Sequence, residues 1–302
     1  MLFPGDVSPQ GRHAGAYDPS TNRKRKLPRI LLILLILALL IWPFAEPFML
    51  ETQEITLTGV DLPEEIRSLR VVYLTDVHMG GLFGDGRLRD LISEVNRCKP
   101  DLVLMGGDYA QDSASAVTFF EQLPSINARY GVYAVVGNND RPTPQSNLTQ
   151  LRAAMLGAGV TPLVNEVAHV RIGNSTIHIA GVDDFTCGFP DYRAVARQVK
   201  EDDYTIFLCH NPAAIPEAMK AVDQNGYTGW FDLGLFGHTH GGQFALLGPM
   251  IKDDSIPKEY LKGWLRNNRT DMLISRGVGT SGMPLRLFCI PQIHLITVSA
   301  PR

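Results

Sequence analysis

Cysteine is scarce in this 302-residue sequence: Cys98, Cys187, Cys209 and Cys289 are the only four, and none are in Cys-x-x-Cys spacing. That excludes a disulfide-stapled scaffold and a cysteine-based zinc module, and fits buried free thiols. A surplus of positive charge is missing as well. Twenty-eight Lys and Arg stand against 31 Asp and Glu, a formal net charge of −3. Without residues 1–50, which hold six cations and three acids, the balance is −6. The bulk of the chain therefore carries no basic surface for nucleic acid. There is no internal repeat and no sign of a second globular domain. With 45% hydrophobic and 20% charged residues, extended disorder is confined to the N-terminus.

One long hydrophobic run is present. Residues 30–45 read ILLILLILALLIWPFA, directly after Arg23-Lys24-Arg25-Lys26 and Arg29. The run is a little shorter than the roughly 20 residues that span a bilayer, and Glu46 with Pro47-Phe48-Met49-Leu50 extends it toward the far interface. Trp42 suits an interfacial belt. A cleaved signal peptide competes, but the apolar core exceeds a usual h-region and no small-x-small site closes it. The organisation expected is a mobile basic tail over residues 1–29, a membrane anchor helix over 30–50 and one globular domain over 51–302. Cations lead the run and Glu46, Glu51 and Glu54 follow it, so the positive-inside rule puts the N-terminus in the cytoplasm and the domain outside. A monotopic, cytoplasm-facing insertion is the alternative, because Pro43 lies within the run.

From Glu51 onward, short apolar runs alternate with amphipathic stretches, the pattern of an α/β fold. Strands are expected at 69–74, 102–105, 132–136, 177–180, 205–208 and 231–236, each covered on both faces. Helices are expected at 87–97, where Leu88, Leu91, Ile92 and Val95 recur at helical spacing, and at 191–199. Residues 272–298 read as closing strands and turns.

The chemistry lies where these runs end. The first ends Thr75-Asp76-Val77-His78, the second Gly106-Gly107-Asp108 and the third Gly137-Asn138-Asn139-Asp140; later ones end Cys209-His210-Asn211 and Gly237-His238-Thr239-His240. In open α/β sheets the carboxyl ends of strands line the functional crevice, so these groups can converge. Asp76 and His78 lie two residues apart, which along an extended backbone sends both side chains to one side; His238 and His240 repeat the spacing. Imidazole nitrogens with carboxylate and amide oxygens suit first-row divalent metals. Each element alone is ordinary: Asp-x-His is usually a polar turn, and Gly-Asp and Gly-Asn pairs favour turns. Five in succession at strand ends argue for a common centre.

The ordered blocks DxH, GD, GN followed by Asp140, a lone His and GHxH resemble those of the calcineurin-like metallophosphoesterases, over roughly Leu69 to Val298. The resemblance implies a β-sandwich flanked by helices, here preceded by one membrane helix, and a hydrolase of phosphoric ester or diphosphate bonds with two divalent metal ions. Manganese, iron and zinc are not distinguished by such ligands. It implies one metal at Asp76, His78 and His240, a second at Asn138, His210 and His238, and Asp108 between them. The segment Ser275-Arg276-Gly277-Val278-Gly279-Thr280-Ser281-Gly282, with Pro284-Leu285-Arg286-Leu287, looks like the membrane-anchored bacterial subgroup. That subgroup includes enzymes assigned to cleavage of UDP-2,3-diacylglucosamine in lipid A synthesis. The partners implied are the bilayer and a phosphorylated lipid or nucleotide-lipid.

The pattern breaks at one place. The family carries histidine where this chain has Asn139, and asparagine offers hydrogen bonds but no proton near neutral pH. Loss of a general acid costs about 100- to 10,000-fold where the leaving group is poor, and less for an acidic one such as a nucleotide phosphate. Arg141 is a candidate for added charge, or a solvated loop arginine. Asp183-Asp184 read as a polar turn, His169, His178 and His294 as structural, and Phe83, Phe189 and Trp230 as core residues with an acyl-binding surface as the alternative. Two further readings stand beside the lipid phosphohydrolase: an outward-facing phosphoesterase acting on envelope phosphodiesters, and a weakly catalytic metal-binding interaction protein.

Overall fold

The computed structural model describes residues 19–81, 83–244, 256–267 and 269–301. Residues 1–18 of the expected tail lie outside them. The chain divides into two compact units, Met1–Trp42 and Pro43–Arg302. In the first, the helix α1 (Pro19–Ala45) begins well before the apolar run. Proline suits a first helical turn and the Arg and Lys that follow are good helix formers, so the helix takes in residues 19–29 of the expected tail. Between Ile30 and Ile41 the large apolar side chains are exposed. Within Pro28–Phe48 lies one helix long and apolar enough to cross a membrane.

The second unit starts at Pro43, earlier than the boundary expected at residue 51, because the residues after Trp42 pack into it. The Pro43 carbonyl accepts from Arg286 N at 3.1 Å. Glu46 is fully buried, accepting from Phe288 N at 2.8 Å and from Cys289 N. A carboxylate expected at the water interface is instead taken up by backbone donors inside the domain, which offset its desolvation.

Two six-stranded sheets form the body of this unit. The first holds β1 (Glu51–Thr58), β2 (Ser68–Leu74), β3 (Leu102–Met105), β4 (Val132–Ala134), β5 (Val160–Pro162) and, from the far end of the chain, β12 (Gln292–Ser299), in the order β1-β12-β2-β3-β4-β5. The second holds β6 (Glu166–Ile172), β7 (Ser175–Gly181), β8 (Thr205–Leu208), β9 (Leu233–Phe236), β10 (Gly263–Asn267) and β11 (Thr270–Ile274), in the order β10-β11-β9-β8-β7-β6. The central pairs β2–β3, β3–β4, β7–β8 and β8–β9 are parallel.

Strand periodicity explains the layering. Leu69, Val71 and Tyr73 of β2 join Ile177, Ile179, Ile206, Leu208, Leu233 and Leu235 in one buried cluster between the sheets. Val72 and Leu74 point the other way. They pack with Leu88, Leu91, Ile92 and Val95 of α2 (Asp85–Arg97), and with α3 (Ser113–Glu121) and α4 (Thr149–Gly157). On the far side of the second sheet, Phe207, Trp230 and Phe236 pack against α5 (Tyr192–Ala196) and α6 (Ile215–Lys220). The architecture is thus an α/β sandwich of two sheets flanked by helices. The helix α5 starts after its cap Asp191, which accepts from Ala194 N at 2.9 Å, and ends before the expected 199, where Gln198 N and Val199 N turn to the tighter bonds with Val195 O and Ala196 O.

Candidate metal centre

All the motif residues lie just past the carboxyl ends of β2, β3, β4, β8 and β9. The loops are stitched to one another as the strands were: Asp76 N donates to Gly107 O at 3.0 Å, His78 N to Asp108 O at 3.1 Å and Gly237 N to His210 O at 2.8 Å. The backbone is not extended there. Asp76, His78, Asp108, His238 and His240 all have positive φ, between 47° and 68°. The spacing of two does bring Asp76 and His78 to one centre, but through left-handed residues alternating with ordinary ones. Non-glycine residues in this region are held against a local cost and cluster at functional sites.

Two groups result. The ligating atoms of Asp76, His78 and His240 lie within 4.8 Å of one another, as do those of Asp76, Asp108 and His210, and all five residues are buried. His78 Nε2 is 3.0 Å from His240 Nε2, so both rings aim at one point. Asp76 Oδ1 is 3.5 Å from His240 Nε2 and 3.9 Å from His210 Nε2, so Asp76 faces both groups, whereas the family pattern assigns it to one. Asp108 Oδ2 lies 3.5 Å from His78 Nε2 and 3.4 Å from His210 Nε2. Asn138 and His238 sit beside the second group: His238 Nδ1 is 2.9 Å from Asn138 Oδ1, and its ring stands edge-on to His210 at 5.2 Å.

The surroundings fix these atoms. His210 Nδ1 is 2.8 Å from the Gly106 carbonyl; with Nδ1 donating there, Nε2 is the nitrogen left to meet a cation, and it is buried without a hydrogen-bond partner. His238 N donates to Asp76 Oδ1 at 3.0 Å. Asn139 holds both oxygens of Asp108, its N donating to Oδ1 at 2.9 Å and its Nδ2 to Oδ2 at 2.7 Å. Asp140 has a structural role that its place in the motif did not reveal. It is buried and accepts from Asp108 N at 2.7 Å, Tyr109 N at 3.0 Å and Gly137 N at 2.8 Å, clamping the β3 and β4 loops.

Charge is finely opposed in this site. Burial would raise the Asp108 carboxyl, but His210 and His78 hold it well below the usual carboxylate range. Burial would lower His210, yet Asp108 and Asp76 carry it well above an ordinary histidine. Burial lowers His78, His240 and His238. Asp140 is pushed up to about 8 by burial and the Asp108 charge, against its backbone donors. Four imidazoles, two carboxylates and one carboxamide, including an orphaned Nε2 aimed inward, form a donor set that fits first-row divalent cations.

The remaining candidates lie elsewhere or play supporting parts. Arg141 is not a solvated arginine: its Nη1 is 3.4 Å from Asp183 Oδ2 and its Nη2 donates to Pro144 O at 2.7 Å. Asp184 closes a turn, its Oδ1 accepting from Thr186 N and Cys187 N at 2.9 and 2.6 Å. His169 and His178 pair across β6 and β7 with their Nδ1 atoms 2.8 Å apart. His294 is buried with Nε2 3.0 Å from Ser275 Oγ. Phe83 and Trp230 are buried and Phe189 is exposed. Arg286, unassigned by the motifs, is wholly buried, with Nη2 3.5 Å from His240 Nδ1 and donating to Arg276 O at 2.8 Å. Its signal was a single cation inside the apolar stretch Pro284-Leu285-Arg286-Leu287.

A family model described as calcineurin-like phosphoesterase matches residues 69–242. Among curated relatives, the uncharacterized metallophosphoesterase YkuE of Bacillus subtilis is 29% identical over 263 residues, spanning 85% of this chain and 88% of that one. The uncharacterized protein YpbG of the same organism is 32% identical over 239 residues, spanning 77% and 82%. A Bos taurus transmembrane protein with metallophosphoesterase domain is 27% identical over 310 residues, spanning 96% of this chain and 66% of that one. The chain therefore belongs to the calcineurin-like phosphoesterase family, hydrolases of phosphoric esters that depend on two metal ions.

Proposed function

We propose that the chain is a membrane-anchored phosphohydrolase that cleaves a phosphodiester or pyrophosphate bond of a substrate carried at the bilayer. Asp76, His78 and His240 hold one metal, and Asn138, His210 and His238 the other. The observation that carries the assignment is Asp108, whose Oδ2 lies 3.5 and 3.4 Å from one imidazole of each set. Two divalent ions in this site supply an activated water and stabilise charge on the attacking and leaving oxygens.

The chain's own residues position that chemistry. Asn139 fixes both Asp108 oxygens, Asp140 anchors the loop that presents them, and the Gly106 carbonyl orients His210. Asn139 supplies no proton, so the leaving group must depart as a stable anion, which favours a phosphoanhydride or nucleotide leaving group over a simple alkoxide. UDP-2,3-diacylglucosamine meets that requirement and is the specific substrate to test. The relatives' names carry no substrate. The cations ahead of the apolar run support an outward-facing domain. That orientation favours envelope phosphodiesters as the second reading, since the nucleotide-lipid is made in the cytoplasm.

The test uses the full chain, stripped with a chelator and reloaded separately with Mn²⁺, Fe²⁺ or Zn²⁺, on bis(p-nitrophenyl) phosphate and on UDP-2,3-diacylglucosamine. Metal-dependent turnover of both, lost in Asp108→Ala, is the expected result. Turnover of the diester alone removes the nucleotide-lipid. No turnover with any metal sinks the catalytic reading and leaves a metal-binding interaction protein.

A further inference from the structure

The second unit exposes large apolar side chains on two segments that are joined to each other. One follows the membrane-length run directly: Phe48 is 54% exposed, Met49 38% and Leu50 36%. The other is the loop after β11, where Met283 is 50% exposed and Phe288 48%. The loop stretch Ser281-Gly282-Met283-Pro284-Leu285-Arg286-Leu287-Phe288 has a single charge, Arg286, and that side chain is buried. No charge therefore opposes its burial in an apolar medium.

Three sets of bonds tie this loop down. Arg286 N donates to Pro43 O at 3.1 Å, and Glu46 accepts from Phe288 N at 2.8 Å and from Cys289 N. These link it to the residues that leave the apolar run. Gln243 Nε2 donates to Ser281 O at 3.1 Å and Met283 O at 2.9 Å, while Leu287 N donates to Gln243 O at 3.0 Å. Gln243 lies in the same glycine-bounded segment as His238 and His240. From inside, Arg286 Nη1 donates to Cys289 O and Nη2 to Gly279 O, at 2.9 and 2.5 Å.

Phe288 is the telling residue. Its φ is 55°, a conformation that glycine or asparagine adopts freely and a bulky aromatic does not. Both the left-handed backbone and the exposed phenyl work against stability in water. An apolar medium at that position removes the second of these costs.

We infer that Met283–Phe288, together with Phe48–Leu50, is a docking surface for the lipid bilayer itself, seated in the headgroup and upper acyl region. The inference rests on the membrane-anchored reading above and adds to it a second contact. Continuity identifies the occupant: the loop is hydrogen-bonded to the chain segment through which the apolar run enters the domain. Phe48–Leu50 and Met283–Phe288 both belong to the second unit, so two individually weak interfacial contacts act together at one surface. Because the loop is bonded to Gln243 and packed on His240 through Arg286 and Cys289, seating it brings the metal centre to the membrane surface. Substrate phosphate carried on a lipid then reaches the site without leaving the bilayer.

Two measurements decide this on the full chain. In vesicles of phosphatidylcholine and phosphatidylglycerol, a carbene precursor dissolved in the lipid phase should mark the Ile30–Ile41 stretch and also Met283–Phe288. The exposed Tyr227 and Val60, at the opposite end of the sheets, should stay unmarked. Marking of the anchor alone overturns the inference and leaves the anchor standing; marking of neither overturns both. Separately, the double variant Met283→Asp, Phe288→Asp should lose about tenfold on a phosphodiester lipid in those vesicles and stay within about twofold on bis(p-nitrophenyl) phosphate. An equal loss on both substrates, or none on either, overturns the docking role. If the unaltered protein hydrolyses neither, the phosphohydrolase reading fails, and the labelling still decides the docking surface.

Discussion

Gly137 tests whether the site depends on contacts of a few tenths of an ångström. A Cβ there would stand 2.7 Å from Asp108 N and 2.9 Å from Asp108 Cγ, with Oδ1 closer still. Gly137 does not have positive φ, so alanine is compatible with its backbone and only the contact matters. Ordinary separation starts near 3.4 Å, so the Asp108 carboxylate must retreat by about 0.5 Å or more, and overpacking of this kind costs about 1–3 kcal/mol. Asp108 is proposed to serve both metals, its Oδ2 lying 3.5 Å from His78 Nε2 and 3.4 Å from His210 Nε2. A displacement of about 1 Å at a catalytic centre costs about 10²-fold, so half of that predicts a loss of roughly tenfold or more in kcat. Disturbing the support of a metal ligand lowers affinity by about 10- to 100-fold. The variant Gly137→Ala should therefore show both losses in a Mn²⁺ titration followed by hydrolysis of bis(p-nitrophenyl) phosphate. Gly157→Ala, where an added Cβ meets nothing within 4 Å, is the control and should leave both unchanged. Wild-type metal affinity and turnover in Gly137→Ala would refute the placement of Asp108 at the centre.

Two further outcomes follow from the same geometry. In the metal-free protein His210 is raised well above an ordinary histidine because Asp108 and Asp76 outweigh its burial, so it holds a proton at neutral pH that a metal at Nε2 must displace. Apparent affinity should then rise about tenfold per pH unit while the pH stays below that raised pKa. Calorimetry at pH 7 in buffers of different ionisation heat should show about one proton released as the His210 site fills, a release lost in His210→Asn; zero release in the unaltered protein would contradict the charge balance described. For Asn139→His, turnover of a diester with a poor alcohol leaving group should rise by about 100-fold or more, while that of the activated nitrophenyl ester changes little. Equal changes on both would show that residue 139 acts through Asp108 and not through proton supply.

The parts of this centre that were readable share a property: they are short polar blocks breaking apolar runs. Asp76, His78, Asp108, His210 and His240 stood at strand ends, and the strands that carry them were legible because each is buried on both faces. What was not readable depends on distant partners or on local backbone hand. β1 pairs with β12 across most of the chain, and neither run carries a signal of its neighbour. Short strands such as β5 are too brief for alternation to speak. Glu46 looked like an interfacial acid because only the fold supplies the Phe288 and Cys289 donors. The positive φ values at five ligand positions were not legible, because Asp and His enter that region more readily than most residues yet occur elsewhere with ordinary backbone, and it takes bonds across the loops, such as Asp76 N to Gly107 O and His78 N to Asp108 O, to hold them there.

Those left-handed positions bear on why the motif takes the form it does. Asp76 and His78 alternate with Thr75 and Val77, and His238 and His240 alternate with Thr239. In each pair the ligand is the residue of opposite hand. An extended strand would place the Cα atoms of such a pair about 7 Å apart along its axis, so that the Asp76 and His78 side chains would have to lean together to reach one ion. Reversing the hand at every second residue curls the chain around the centre, and the ligating atoms of Asp76 and His78 lie within 4.8 Å of one another. The curl brings backbone against side chain, and this is where glycine becomes necessary: Gly241, at φ 60°, follows His240 where a Cβ would stand 2.6 Å from Arg276 Cγ. Glycine at Gly137 and Gly241 is therefore part of the metal site although it offers no ligand. The short gap within Asp-x-His and His-x-His follows from the same curl, since one ordinary residue between two left-handed ones is enough to turn both side chains inward.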